Sequence, residues 1–275
     1  MKPNLTLFSD CDFFAGCENI ISVILNSEQI NEAYDLTFIY RFSRDYEQGL
    51  FARLSFLKGL SRIYLMVFNR ASLPKNIQHI FIVRLVWRVF SILTYPIQIF
   101  YNIIIIFFKL CFIERKNILY VNNGGYPASR NALIAVLLGR LSGFNSIFLS
   151  CNNVPQRRSR FYPLSIIQKF IDRKIDLCTT NVIVASDHNR ENLVNYRDFS
   201  SKKIIVLPNG VDESRFDKNK ILSSREKEYF SDSIINFGII GVHEERKGHA
   251  FLLKAIENIK QKGYEDFKLL IEGKG

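Results

Sequence analysis

The chain has 275 residues, with 37 Lys and Arg against 26 Asp and Glu and a net charge of +11. At 48% hydrophobic and 13% aromatic it carries ample core material, which excludes global disorder; the length predicts one full domain with part or all of a second. The charge excess is local: residues 1–76 and 176–275 each sum to zero, while 77–175 set thirteen basic residues against Glu114 and Asp172. A uniformly basic nucleic-acid binder is therefore disfavoured.

Taken in chain order, short apolar runs alternate with helical periods. Residues 4–8 read as a buried strand, 9–16 as a loop, and 18–25 as a helix with Ile20, Ile21, Ile24 and Leu25 apolar. Strand character returns at 35–41 and 117–122, followed by a helix over 129–141 and a strand over 146–151. Strands at 181–185 and 203–207 enclose a helix near 190–196. After Pro208 a second series opens, with strand 234–240, helix 249–261 and strand 267–272. This alternation predicts an α/β fold, a parallel sheet with helices on both faces.

One segment departs from that pattern. Residues 89–108 contain no charge at all, long enough to meet the length test for a membrane span. Arg84, Arg88, Ser91, Tyr95, Gln98, Asn102 and Lys109 fall within about 40° of one line on a helix, so the segment reads as an apolar helix with a narrow polar stripe and a bend at Pro96. A single crossing would put strands 4–8 and 117–122 on opposite sides of a bilayer, although both look like members of one sheet. Three readings stay open: the segment lies in the membrane face, enters and leaves it on one side, or is buried by protein, as in a helical hairpin with the apolar stretch 51–68.

Cysteines 11, 17, 111, 151 and 178 form no CxxC pair, which fits thiols in a reducing compartment better than a disulfide framework or a zinc site. The first ten residues are too short in their apolar part for a signal peptide, so the expected location is the cytoplasm.

Four motifs sit where strands end. Phe13-Phe14-Ala15-Gly16-Cys17-Glu18-Asn19 is a small-residue turn before a helix, which lets backbone approach an anion. Val121-Asn122-Asn123-Gly124-Gly125-Tyr126-Pro127 follows another strand, and its bland reading is a tight turn with Asn in left-handed geometry. Cys151-Asn152-Asn153-Val154-Pro155 leads into Arg157-Arg158-Ser159-Arg160, a loop that either grips phosphate or is simply solvated. The most specific is Pro208-Asn209-Gly210-Val211-Asp212 with Phe216, then Gly238 and Gly241, Glu245-Arg246-Lys247-Gly248, and the helix after it.

On these residues the sequence resembles the group 1 (family 4 type) retaining glycosyltransferases of GT-B architecture, in a branch that builds cell-surface polysaccharide. The resemblance implies a complete N-terminal Rossmann-like domain over 1–208, with an apolar helical insert at about 50–113. The linker and donor-binding domain over 209–275 are expected to be cut short, without the family's paired glutamates. It implies a nucleotide-sugar donor, a lipid-linked saccharide acceptor, retention of anomeric configuration and no metal. Lys247 matches the lysine that holds the donor diphosphate, with Gly16, Gly241, Arg246 and Gly248 around it. Glu18, Asn123, Gly124, Gly125, Asn153 and Arg157 are expected on the acceptor side. Val242 stands where the family often has a second phosphate-binding arginine, and Cys151-Asn152-Asn153 stands where it often has a histidine. The expectation is an enzyme associated peripherally with the inner face of an anionic cytoplasmic membrane. The alternative is a catalytically incomplete remnant that serves as a binding or scaffold subunit.

Overall fold

Strand residues alternate between two apolar faces of one sheet, and this alternation organises the N-terminal part of the molecule. The computed structural model describes residues 2–14, 16–55, 59–68, 80–210 and 234–273, with the backbone alone at Arg88 and Arg246. The chain divides into two compact units, Met1–Asp212 and Glu213–Gly275.

The first unit runs β1 (Asn4–Ser9), α1 (Glu18–Asn26), α2 (Glu28–Ala33), β2 (Asp35–Arg41), α3 (Arg44–Phe51), β3 (Ser61–Leu65), α4 (Phe81–Cys111) and β4 (Ile118–Asn123). It continues with α5 (Arg130–Leu141), β5 (Ser146–Cys151), α6 (Tyr162–Cys178), β6 (Asn181–Val184), α7 (Asp187–Arg197) and β7 (Ile204–Val206). The strands form a seven-stranded sheet in the order β3-β2-β1-β4-β5-β6-β7, and each neighbouring pair is parallel. Leu5, Leu7, Leu36, Phe38 and Tyr40 bury one face with Ile21 and Leu25 of α1 and Tyr46 and Leu50 of α3. Phe8, Ile39, Leu119, Val121, Ile147 and Leu149 bury the other, together with residues of α4, α5, α6 and α7. Side-chain caps by Ser27, Ser43, Ser129 and Ser186 start α2, α3, α5 and α7, each satisfying a first-turn amide.

The apolar segment is α4, 31 residues with Pro96 inside and about 46 Å long at 1.5 Å per residue. Of the open readings, the helical hairpin with 51–68 does not form, because Ser61–Leu65 pairs with β2 as a strand rather than with α4. Strands β3 and β4 flank α4 and lie in one sheet, so the helix returns the chain to the side it left and does not cross a bilayer. Its C-terminal half enters the core through Ile106 and Leu110. The middle of its polar stripe points inward, with Ser91 and Asn102 buried and Tyr95 and Gln98 half-buried, while Arg84 is exposed. The outward face is apolar: Ile82, Ile92, Leu93, Ile97 and Phe100 are all more than half exposed, Ile97 at 70%. Only 17% of the most apolar stretch is buried, at a mean hydropathy of 1.8.

The second unit holds β8 (Ile235–Ile240), α8 (His249–Gln261) and β9 (Phe267–Glu272). Strands β8 and β9 pair in parallel with Ile235 opposite Phe267, the right arrangement for strands joined by a helix. Gly273 approaches the carbonyl of Gly241 so closely that a Cβ there would overlap it.

Candidate functional site

In the first unit the chain moves outward from β1 to β2 and β3, then returns to place β4 on the other side of β1. The crevice beyond the carboxyl ends of β1 and β4 lies at this reversal, where open α/β sheets take their ligands. The loops after β1, β4 and β5 converge there.

Glu18, the first residue of α1, is 2% exposed. Ser9 Oγ donates to its Oε1 at 2.9 Å and Asn122 Nδ2 to the same oxygen at 2.8 Å, while Tyr46 donates its hydroxyl to Oε2. One carboxyl thereby ties β1, β4 and α3 together beneath the loop that carries Gly16. Burial raises its pKa, opposed by the hydrogen bonds from Tyr46, Ser9 and Asn122. Glu18 is therefore placed under the crevice floor, where it holds the loop and does not line the open face.

Asp10 is the carboxylate that directly follows β1, and it is half-buried. Its Oδ2 accepts from Ser129 Oγ at 2.7 Å and Asn131 Nδ2 at 2.9 Å. Its Oδ1 is buried without a hydrogen-bond partner. Burial raises this carboxyl above the ordinary value, with Ser129 and Asn131 pulling the other way. Asn123 accepts the Ser129 amide at 3.0 Å through Oδ1 and leaves its Nδ2 without a partner. The acid and the asparagine thus meet at the N-cap of α5.

Gly124 and Gly125 follow β4 in ordinary backbone geometry, since the positive-φ residues among those described are Gly59, Gly143, Asp198, Gly248 and Gly263. The left-handed Asn turn is therefore not what forms. A Cβ at Gly124 or Gly125 would meet only ordinary contacts, with Cys17 Sγ and Asn153 Cβ respectively. The Asn153 amide donates to the Gly124 carbonyl at 3.0 Å, which clips the β5 loop onto the β4 loop. Gly16 is exposed with clear space around it, and Ala15 before it lies outside the described residues.

The three arginines of the next loop have separate fates. Arg158 donates to Asp172 at 2.8 Å and to Asp198 at 3.0 Å, and Asp172 also accepts from Tyr126 at 2.8 Å. Arg158 is thus a strut. Arg157 lies over the Tyr196 ring, 4.5 Å from its centroid, and donates to its hydroxyl at 2.9 Å. Arg160 is exposed.

In the second unit Lys247 closes a short helical turn, Glu245–Lys247, and is exposed. Gly248 follows at φ +76, a left-handed conformation suited to glycine, and caps the N-terminus of α8. The Lys247 stem passes Gly241 at a distance where even a Cβ would make only ordinary contacts with it. An ammonium beside a helix N-terminus with open amides makes an anion-binding corner. The side chain of Arg246 and residues Val211, Asp212 and Phe216 lie outside the described set.

Cys11 is pushed up to about 11 and Cys17 and Cys151 to about 12, in each case chiefly by burial, so none of these thiols is a nucleophile at neutral pH. Among the described residues no three His, Cys, Asp or Glu side chains converge as metal ligands.

No family model matches the sequence, and no curated protein does. Solved structures do. A glycosyltransferase from Rickettsia africae superposes with a TM-score of 0.65 over 99% of this chain, at 14% identity. HepE from Anabaena, in complex with UDP and glucose, gives 0.60 over 98% at 9% identity. A putative UDP-N-acetylglucosamine 2-epimerase from Listeria monocytogenes gives 0.55 over 98% at 10% identity. The chain has a GT-B-like α/β fold. It spans 60% of the length of the first two of these proteins and 63% of the third.

The sequence motifs point to the loops but not to Asp10, Ser9, Tyr46 or Ser129 as partners in them. The signal for Asp10 was available, since an acid directly after a buried strand at a sheet's carboxyl edge is a ligand-facing position. Tyr46 carried none, because α3 was not expected.

Proposed function

We propose that the protein transfers a sugar from a nucleotide-sugar donor to a lipid-linked saccharide at the inner face of the cytoplasmic membrane, as a group 1 retaining glycosyltransferase in surface-polysaccharide synthesis. The carrying observation is the Gly241–Lys247–Gly248 corner at the start of α8, which suits a diphosphate, on a fold shared with HepE in complex with UDP and glucose. In the reaction the bond from the anomeric carbon to the diphosphate oxygen breaks as the acceptor oxygen bonds to the same face. The acceptor proton passes to the departing diphosphate. Lys247 stabilises the charge that develops there, and neither a metal nor a protein base is required.

Membrane attachment is supported by α4, whose outward face is apolar and whose 31 residues contain no acid. A water-facing helix normally shows the reverse polarity.

The test is transfer of radiolabel from a panel of nucleotide sugars into lipid-extractable product by the full protein. Lys247→Ala is expected to lower turnover at least about 100-fold, the scale for losing one charge-stabilising group, with the melting temperature unchanged. Unaltered turnover would remove Lys247 from the mechanism. Conversion of UDP-N-acetylglucosamine without any acceptor would replace transfer by epimerisation.

A further inference from the structure

A cavity of about 640 Å³ lies between α4, α5 and α6, within the size range of small-molecule sites. None of the expected acceptor-side residues lines it. One end is polar, with Asp10, Gln98, Asn102, Ser129 and Asn131, and the other is walled by Ile99, Leu133, Ile134, Leu137 and Ile171. The polar end is nearly self-satisfied: Asn102 Nδ2 donates to Asn131 Oδ1 at 3.1 Å, and Asn131 and Ser129 donate to Asp10 Oδ2. Asp10 Oδ1 remains buried with no donor. The Asp10 carboxyl and the Gln98 amide close this end as hydrogen-bonding groups for a ligand hydroxyl.

The approach to the cavity fixes the rest of the ligand. Its walls include α4 and α6, and both present apolar side chains outward: Ile92, Leu93 and Ile97 on α4, and Ile166, Ile167 and Phe170 on α6. The exposed charges on α6 are Lys169, Arg173 and Lys174, all basic, while its buried Asp172 is engaged by Arg158 and Arg197. Helices that pair an apolar surface with basic flanks fit an anionic bilayer. A water-soluble ligand would need no such surroundings.

We propose that this cavity takes a membrane-borne amphiphile, its hydrocarbon chain between α4 and α5 and a hydroxyl of its head at the polar end closed by Asp10, Gln98 and Asn131. The proposal rests on the membrane reading above and adds a seat for the acceptor that the sequence motifs did not point to. The sugar end then lies at the carboxyl edge of β1, and the chain leads away beneath the helices that touch lipid.

The probe is a dodecyl glucoside with a mid-chain diazirine, carried in phosphatidylcholine–phosphatidylglycerol vesicles and photolysed with the full chain. Cross-links are expected at Ile99, Ile134 and Leu137. Leu137→Trp should fill the apolar end and abolish them while flotation with the same vesicles persists. Asp10→Asn, which cannot offer a carboxylate, should weaken labelling by the glucoside about tenfold and leave labelling by a plain dodecyl diazirine unchanged. Vesicle binding with cross-links confined to the outward faces of α4 and α6 overturns the cavity site alone. Equal labelling by the two probes in wild type overturns the role of Asp10. Absence of vesicle binding overturns the proposal together with the membrane reading beneath it.

Discussion

At the scale of single residues, Glu18 shows how much a buried acid can organise. Removing it as Glu18→Ala leaves Ser9, Tyr46 and Asn122 without their common acceptor, which should cost roughly 2–4 kcal/mol in denaturant unfolding. Its pH behaviour follows from a folded pKa raised above the ordinary 4.5. The proton is held more tightly in the folded state, so the group's contribution is fully present below 4.5 and is lost as pH rises through the folded value. Glu18→Gln abolishes that titration, and the stability of wild type relative to the Gln variant should fall as pH rises through this window. A constant difference would mean that Glu18 titrates normally. Gly49 is a second such position: a Cβ there would collide with Phe14, whose ring lies tilted against Tyr46 with centroids 5.7 Å apart. Gly49→Ala should lower the melting temperature despite alanine's better helix propensity, because the loop bearing Gly16 must move.

At the scale of elements, legibility followed the apolar patterning of the sequence. Strand β5, helix α8 and strand β9 occupy the residues that their apolar runs predicted, as does β2. Helices α2 and α3 escaped because they are short and mostly polar, and their serine caps were the available signal. Helix α6 escaped for the opposite reason: its apolar residues lie on an exposed face, while the adjacent arginines drew the reading towards a loop. The cavity itself was illegible, since Asp10, Gln98 and Leu137 meet only through the sheet order. The orientation of α4 was also out of reach. Periodicity places its polar side chains on one line, but the bonds of Asn102 to Asn131 and Phe68 decide that the middle of the line faces inward. Ile92→Glu with Ile97→Glu should therefore weaken flotation with anionic vesicles by at least about tenfold while leaving thermal unfolding unchanged. A fall in melting temperature with unaltered flotation would assign that face to packing. Trp87, the single tryptophan of the chain, sits in α4, and brominated lipid should quench it.

At the scale of the whole molecule, the two units differ in how much core they own. Both large apolar clusters belong to Met1–Asp212, whereas Ile256 is the one buried apolar side chain among the described residues of the second unit. A two-stranded sheet with so small a core is marginal on its own. Hydrogen exchange should accordingly leave β8 and β9 poorly protected and β1, β4 and β5 strongly so, and added UDP should slow exchange at the start of α8. Uniform protection across both units would contradict this division. The outward-facing apolar side of α4 has a further consequence at the bench. On the membrane reading, attachment has an electrostatic part that concentrated salt removes and a hydrocarbon part that salt strengthens. The protein should then stay with the pelleted membranes through salt washes, leave them in detergent, and pass by that criterion for an integral protein although its sheet forbids a crossing.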